Sequence, residues 1–128
     1  MELVRRVASE EARALLFHVD RDLAAVAAHQ RGTLIIAEDP GEVQAAHLLV
    51  VAIAAPLQTG RLADGTRLSD HIMRTLLRDA LRVHRTDVAF GIVAIENQRS
   101  LTMCERNGLT SQTVISPAYA RATGRFAV

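Results

Sequence analysis

The chain has a single cysteine, Cys104, and no lysine. One cysteine excludes an internal disulfide and any multi-cysteine metal site, and it suits a reducing compartment. Because lysine is missing, all 15 basic residues are arginine. Together with the abundant alanine, this reads as a codon preference for high G+C rather than a functional signature. Aromatic residues make up 3% of a chain that is 49% hydrophobic, so a core has to be built from Ala, Val, Leu and Ile. The formal charge of +1 supplies no global field to attract nucleic acid or an anionic membrane. Long apolar runs are missing too: the longest, residues 45–57, contains His47 and Pro56 and is too short to span a bilayer. Arg5, Arg6, Glu10 and Glu11 interrupt the opening segment, where a secretory leader needs an apolar stretch. These absences predict a soluble, cytoplasmic protein with no membrane and no nucleic-acid partner. A length of 128 residues suits one domain, 1–128.

What is present falls into punctuated segments. Residues 3–7 suit a short strand. Ser9 reads as a helix cap, with Glu10 and Glu11 favoured in the first turn by the helix dipole. Ala12, Leu15, Leu16, Val19, Leu23 and Val26 recur at helical spacing, predicting either one helix that ends at Gln30-Arg31-Gly32 or two with a bend near Val19, the second capped by Asp20. Residues 33–37 and 42–54 read as the two strands of a hairpin, turning at Glu38-Asp39-Pro40-Gly41. Residues 56–65 are irregular, with Asp64-Gly65 a strong turn pair. A helix then begins at Thr66 or Ser69; Leu68, Ile72, Met73, Leu76, Leu77, Ala80 and Leu81 form its apolar stripe, and Arg74, Arg78, Arg82 and Arg85 its solvated side. Residues 110–115 and 124–128 supply two last strands.

The most informative stretch runs from Asp87 to Leu109. Apolar residues 88–95 read as a strand. Asn97 is a strong cap for a short helix, because its side-chain oxygen can accept from the free first-turn N–H groups. Gly108 suits the left-handed position just past that helix, and Leu109 is placed to fold back onto the last turn.

This run, through Asn97, Ser100, Met103, Cys104, Glu105, Arg106, Gly108 and Leu109, resembles the closing motif of the GNAT superfamily of acyl-CoA-dependent N-acyltransferases, V-x-x-x-N-x-x-A-x-x-L-Y-E-K-x-G-F. Ser100, Cys104 and Leu109 stand where the motif has alanine, tyrosine and a final aromatic. Residues 32–48, G-T-L-I-I-A-E-D-P-G-E-V-Q-A-A-H-L, resemble the family's second and third strands, in the expected order. The resemblance implies an α/β fold with a mixed, mostly antiparallel central sheet flanked by helices. One strand would be shortened or missing, since Pro56 directly follows the hairpin. It also implies acetyl-CoA as co-substrate, no metal, and an N-acetyltransferase acting on an amine acceptor that the sequence does not identify.

The resemblance also assigns residues. The family holds the coenzyme pyrophosphate on backbone N–H groups of a [Q/R]-x-x-G-x-[G/A] loop at the start of a helix, a natural anion site. Aligned by helix phase, the pattern falls on Asp64, Arg67 and Ser69; aligned by the loop, it falls on Gln58, Arg61 and Ala63. Arg61, Ala63, Arg67 and Ser69 are thus the implied cofactor-binding residues, and the two arginines could contact phosphate oxygens through their side chains. Asp64 and Asp70 would oppose an anion there, unless Asp70 is only a first-turn helix residue. Asn97 and Ser100 are the implied contacts of the pantetheine arm, although Asn97 is also fully explained as a cap. Cys104 takes the place of the tyrosine that protonates the departing thiolate, or is simply a small buried residue. No carboxylate lies between Glu42 and Asp64, where the family carries its base. His47 is the substitute, unless it is merely hydrogen-bonded in place. Two other classes stay open. One is a catalytically degenerate GNAT-like module that binds or forms a homodimer through an exposed edge of the long hairpin strand. The other is an unrelated small-ligand regulatory α/β domain.

Overall fold

The structure, a computed structural model, describes residues 2–8, 12–36, 39–114 and 118–126. The strands are β1 (Glu2–Ala8), β2 (Ala12–Val19), β3 (Asp22–Ile36), β4 (Asp39–Ile53), β5 (Val88–Ala94), β6 (Thr110–Val114) and β7 (Tyr119–Arg125). They form one seven-stranded sheet in the order β1-β2-β3-β4-β5-β7-β6. Among the described residues β4 and β5 are the parallel pair, and every other neighbouring pair is antiparallel. Helix α1 (Leu68–His84) makes the crossover from β4 to β5, and α2 (Gln98–Arg106) connects β5 to β6.

The helix expected from Ser9 to Val26 is instead a β-hairpin: β2 and the first part of β3 occupy it. Ser9, Glu10 and Glu11 lie outside the described residues. Alanine favours helices, and the apolar residues at 12, 15, 16 and 19 happen to fit a helical period. The same residues also alternate. Leu15 and Phe17 are fully buried on the face that meets the helices, and Leu16 and His18 project to the other side. Pairing with β3 satisfies the backbone and decides between the two patterns, as tertiary context often does in sheets. Val19 pairs with Asp22, so the chain reverses through Asp20 and Arg21. Asp20 adopts a left-handed φ of 57°, a conformation that Asp tolerates better than most residues.

That hairpin supplies β2, a strand in place of one expected to be shortened or missing. The stretch read as second and third strands is the far half of the long β3–β4 hairpin, in which Leu34 pairs with Val43 and Ala25 with Ile53. Of the turn expected at 38–41, Asp39, Pro40 and Gly41 belong instead to β4, with Asp39 paired to Ile36, and Glu38 lies outside the described residues. The long strand β4 lies inside the sheet, between β3 and β5, not at an edge. The condition for edge pairing with a second chain, that this strand border the sheet, is therefore not met.

Both helices pack on one face of the sheet. Ile72, Leu76 and Ala80 of α1 and Met103 of α2 meet Phe17, Ala27, Ala46, Leu48 and Ala89. The many strand alanines under α1 let the helix approach closely, which is how a core with few aromatics stays filled. A smaller cluster, Leu34, Ala45, Val88 and Phe90, lies on the opposite face. A polar network is buried under the C-terminal half of α1. His29 Nε2 contacts Asp79 Oδ2 at 2.9 Å, and its Nδ1 contacts His84 Nε2 at 2.8 Å. Arg13 and Arg82 also pair with Asp79, at 3.0 and 3.1 Å.

The 87–109 stretch folds as its residues predict. Asn97 caps α2 by accepting from the Ser100 N–H at 3.1 Å. Gly108 takes φ 92°, and the N–H of the fully buried Leu109 donates to the Cys104 carbonyl at 2.9 Å. The last strand starts earlier than expected, at Tyr119, because Ala120, Ala122 and Gly124 alternate inward along it. Gly124 lies so close to the α2 terminus that a Cβ there would sit 2.5 Å from the Gly108 carbonyl oxygen.

Candidate functional site

The two parallel strands touch only briefly. Ala46 pairs with Ala89, His47 with Phe90 and Leu48 with Gly91; beyond these, β4 follows β3 and β5 follows β7. The divergence begins at an irregularity in β4. Ala28 pairs with Val50 and His29 with Leu48, which leaves Leu49 as the extra residue of a bulge. A bulge bends its strand and ends regular pairing, so residues 49–53 of β4 turn away from β5. The crevice between them has a volume of about 210 Å³ and is walled by residues 48–51 and 91–94, with Met73, Met103 and Cys104 closing it from the helix side.

The crevice opens into a larger cavity of about 750 Å³ between the end of β4, the loop before α1, and α2; Val51, Asn97, Ser100 and Met103 line both. The loop is compact, not irregular. A bridge joins Arg61 to Arg67, the Leu62 N–H donates to the Thr66 carbonyl at 2.8 Å, and the Gly65 N–H donates to the Leu62 carbonyl at 2.9 Å. Gly65 closes this turn with φ 88°, which glycine adopts without strain. Asp64 accepts from the Thr66 N–H at 2.9 Å, a bond that holds its carboxyl below the usual range. The Leu68 N–H donates to the Gly60 carbonyl, fixing the start of α1 against the loop.

The cavity is cationic. Arg61, Arg67, Arg99 and Arg106 line it, and no carboxylate does among the described residues. Asp70, expected to oppose an anion, is turned away into the α1–α2 contact. It accepts from Arg106 Nη2 at 2.9 Å and Nε at 3.1 Å, and from Asn107 Nδ2 at 3.1 Å. Burial alone would raise its carboxyl pKa. The hydrogen bonds from Arg106 and Asn107 and the charges of Arg106 and Arg74 together outweigh burial, and the net shift is downward. Asn107 is itself held by the Met103 carbonyl and by Arg74.

The sequence-predicted residues separate clearly. Arg61, Arg67, Ser69, Asn97 and Ser100 all line the larger cavity, although they come from three segments of chain. Ala63 does not: it is exposed within the turn closed by Leu62 and Gly65. Cys104 lines the crevice and is 5% exposed. Burial, and secondarily the charge of Glu105, pushes its thiol pKa up, so it stays protonated at neutral pH. His47 lies elsewhere. It stacks on Phe90 with ring centroids 4.5 Å apart, meets Gln30 at 3.4 Å, and lines neither cavity. Because β4 side chains alternate, His47 projects to the face away from both helices, as Ala45 does. Burial lowers its pKa.

Sequence reasoning missed Arg99, whose guanidinium donates to Gln58 Oε1 at 3.0 Å across the larger cavity. A signal was legible: Arg99 is in the first turn of α2, where the helix dipole disfavours a cation. Among the described residues no group of three or more His, Cys, Asp or Glu side chains could hold a metal ion, and no helix is long and apolar enough to cross a membrane.

No protein-family model matches the chain, and no curated protein matches its sequence. Solved structures do match in shape. The N-acetyltransferase PseH of Campylobacter jejuni, in complex with acetyl coenzyme A, superposes with a TM-score of 0.65 at 10% identity, over 93% of this chain and 71% of that one. A Bacillus subtilis acetyltransferase in complex with CoA gives 0.68 at 11% identity, over 92% and 79%. The spermidine N-acetyltransferase SpeG of Vibrio cholerae gives 0.63 at 13% identity, over 91% of this chain but only 66% of that one. The chain therefore has the GNAT acetyltransferase fold, a mixed, mostly antiparallel sheet with flanking helices, at an identity that speaks to fold alone.

Proposed function

We propose that the chain is a divergent GNAT N-acyltransferase that moves an acetyl group from acetyl-CoA to an amine. The observation that carries the proposal is the parting of β4 from β5 at Leu48 and Gly91, which opens an apolar crevice directly into a cavity lined by four arginines and, among the described residues, no carboxylate. A coenzyme with a pyrophosphate at one end and a thioester at the other fits that sequence of environments. Arg61 and Arg67 would hold phosphate oxygens beside the N-terminus of α1, with Ser69 in its first turn. Asn97 and Ser100 stand at the junction, next to the arm that enters the crevice. The edge of β4 past Leu49, unpaired with β5, would turn backbone N–H groups toward the carbonyl that the amine attacks. Cys104, protonated and inside the crevice, would supply a proton to the departing sulfur.

Titration calorimetry with acetyl-CoA tests the binding step. Saturable binding is expected, and Arg61→Ala with Arg67→Ala together should weaken it at least about tenfold, since a hydrogen bond to a charged group contributes about 1.5–3 kcal/mol. Acetyl-CoA giving no heat at millimolar concentration would refute the assignment. One observation favours a second reading, a module that binds coenzyme without transferring its acyl group: no histidine or carboxylate lines either cavity among the described residues. Binding without acyl transfer to any amine would select it.

A further inference from the structure

The crevice reaches both faces of the sheet. Met73, Met103 and Cys104 line it from the helix side, and Leu49, Val50 and Ile92 belong to its opposite side. Those three residues are 40, 44 and 49% exposed, and Tyr119, which pairs with Ala94 on the neighbouring strand, is 50% exposed. Among the described residues, four of the five exposed large apolar residues thus lie at or beside the mouth of the crevice away from the arginines. Scattered apolar residues are ordinary on a protein surface; a group of them rimming a cavity marks a binding site.

Charge sharpens this. Among the described residues, a cation entering from the apolar mouth would meet no carboxylate lining the crevice and would approach the four arginines beyond it. Nor, among the described residues, does any histidine or carboxylate line the crevice to deprotonate it. Glu96 and Glu105 are the nearest acids along the chain, and both are exposed outside the lining. An alkylammonium with the basicity of a lysine side chain, pKa about 10.4, is almost wholly protonated at pH 7 and has no nucleophilic lone pair.

We infer that the acceptor is a weakly basic amine with an apolar body, the aromatic amines being the class that fits, and that it enters between Val50 and Ile92. This rests on the acyl-transfer proposal. An aromatic amine arrives neutral, because its lone pair is shared with the ring. Its nitrogen attacks the thioester carbon, a C–N bond forms, the C–S bond breaks, and the proton lost by nitrogen ends on the released sulfur. The protein therefore needs no net proton acceptor.

The test uses the full chain, acetyl-CoA and three amines compared by thiol release: p-toluidine, benzylamine and spermidine. Transfer to p-toluidine is expected to exceed the other two by at least tenfold in kcat/KM at pH 7 and to stay level from pH 6 to 8. Over that range benzylamine should gain about tenfold per pH unit as its neutral fraction grows. Ile92→Asp should raise KM for p-toluidine about tenfold while acetyl-CoA affinity stays within twofold. Glu96→Gln should leave transfer unchanged. A preference for spermidine or benzylamine at pH 7, or loss of transfer in Glu96→Gln, would overturn the inference. So would acetyl-CoA binding with no transfer to p-toluidine, which leaves coenzyme binding intact; absence of coenzyme binding would instead refute the acyltransferase proposal itself.

Discussion

Replacing Asp70 by Asn should loosen the joint between the two helices and destabilise the fold by roughly 2–3 kcal/mol. Asp70 holds α1 to the end of α2 through three contacts from Arg106 and one from Asn107, at 2.9–3.3 Å. Its side chain is 9% exposed and that of Arg106 29%, so neither is freely solvated. Breaking a buried ion pair by removing one partner costs about 3–5 kcal/mol; the partial exposure of Arg106 and the retained acceptor of Asn reduce this figure. For a domain of this size the loss corresponds to a fall in Tm of roughly 10 °C. Urea unfolding monitored by circular dichroism measures it, and a double-mutant cycle with Arg106→Leu should return a coupling of about 2 kcal/mol. The folded-state pKa of Asp70 is depressed, so its stabilisation is complete above the unfolded value of about 3.9 and is lost as pH falls through the folded value. The gap between the wild type and Asp70→Asn should then be constant from pH 5 to 8 and close below about pH 4. A variant within about 0.5 kcal/mol of wild type at pH 7, or a gap that widens in acid, would refute the reasoning.

Gly124→Ala should destabilise by more than about 2 kcal/mol by urea titration, because its Cβ would sit 2.5 Å from a backbone oxygen that cannot move without shifting the α2 terminus. Cys104 should resist alkylation at pH 7 in the native state and react rapidly in urea, since burial both covers the thiol and raises its pKa. Burial first, then the charges of His29 and Arg31, depress the pKa of His84. Its folded-state value lies below the unfolded one, so stability should fall as pH drops below about 6.5, and His84→Gln should flatten that slope in thermal melts from pH 7.5 to 5.

The local signals of residues 87–109 were legible because caps and left-handed glycines act within a few residues: Asn97, Gly108 and Leu109 each do what their chemistry prescribes. The β2–β3 hairpin was not legible. Its alanines fit a helix as well as a strand, and the pairing that holds β3 in the sheet, such as Ala27 with Val51 and Ala25 with Ile53, reaches residues more than twenty positions away that no short window contains. Five of the candidate site residues converge on one cavity because they flank the strand ends and helix starts that the motif marks. His47 was misplaced for a simpler reason. Side-chain direction in a strand depends on parity, and parity in β4 is reset at the Leu49 bulge, which the sequence does not announce. The tie between Asp70 and Arg106 crosses 36 residues and was equally hidden.

The coenzyme cleft is tested most directly by titrating acetyl-CoA into ¹⁵N-labelled protein and following the amide resonances. The largest shifts should fall on residues 49–53, on the loop from Gln58 to Ser69, and on Asn97 to Ser100, with β1 and β2 little changed. No shifts at saturating coenzyme, or shifts gathered around His47 and Phe90 on the opposite face, would contradict it.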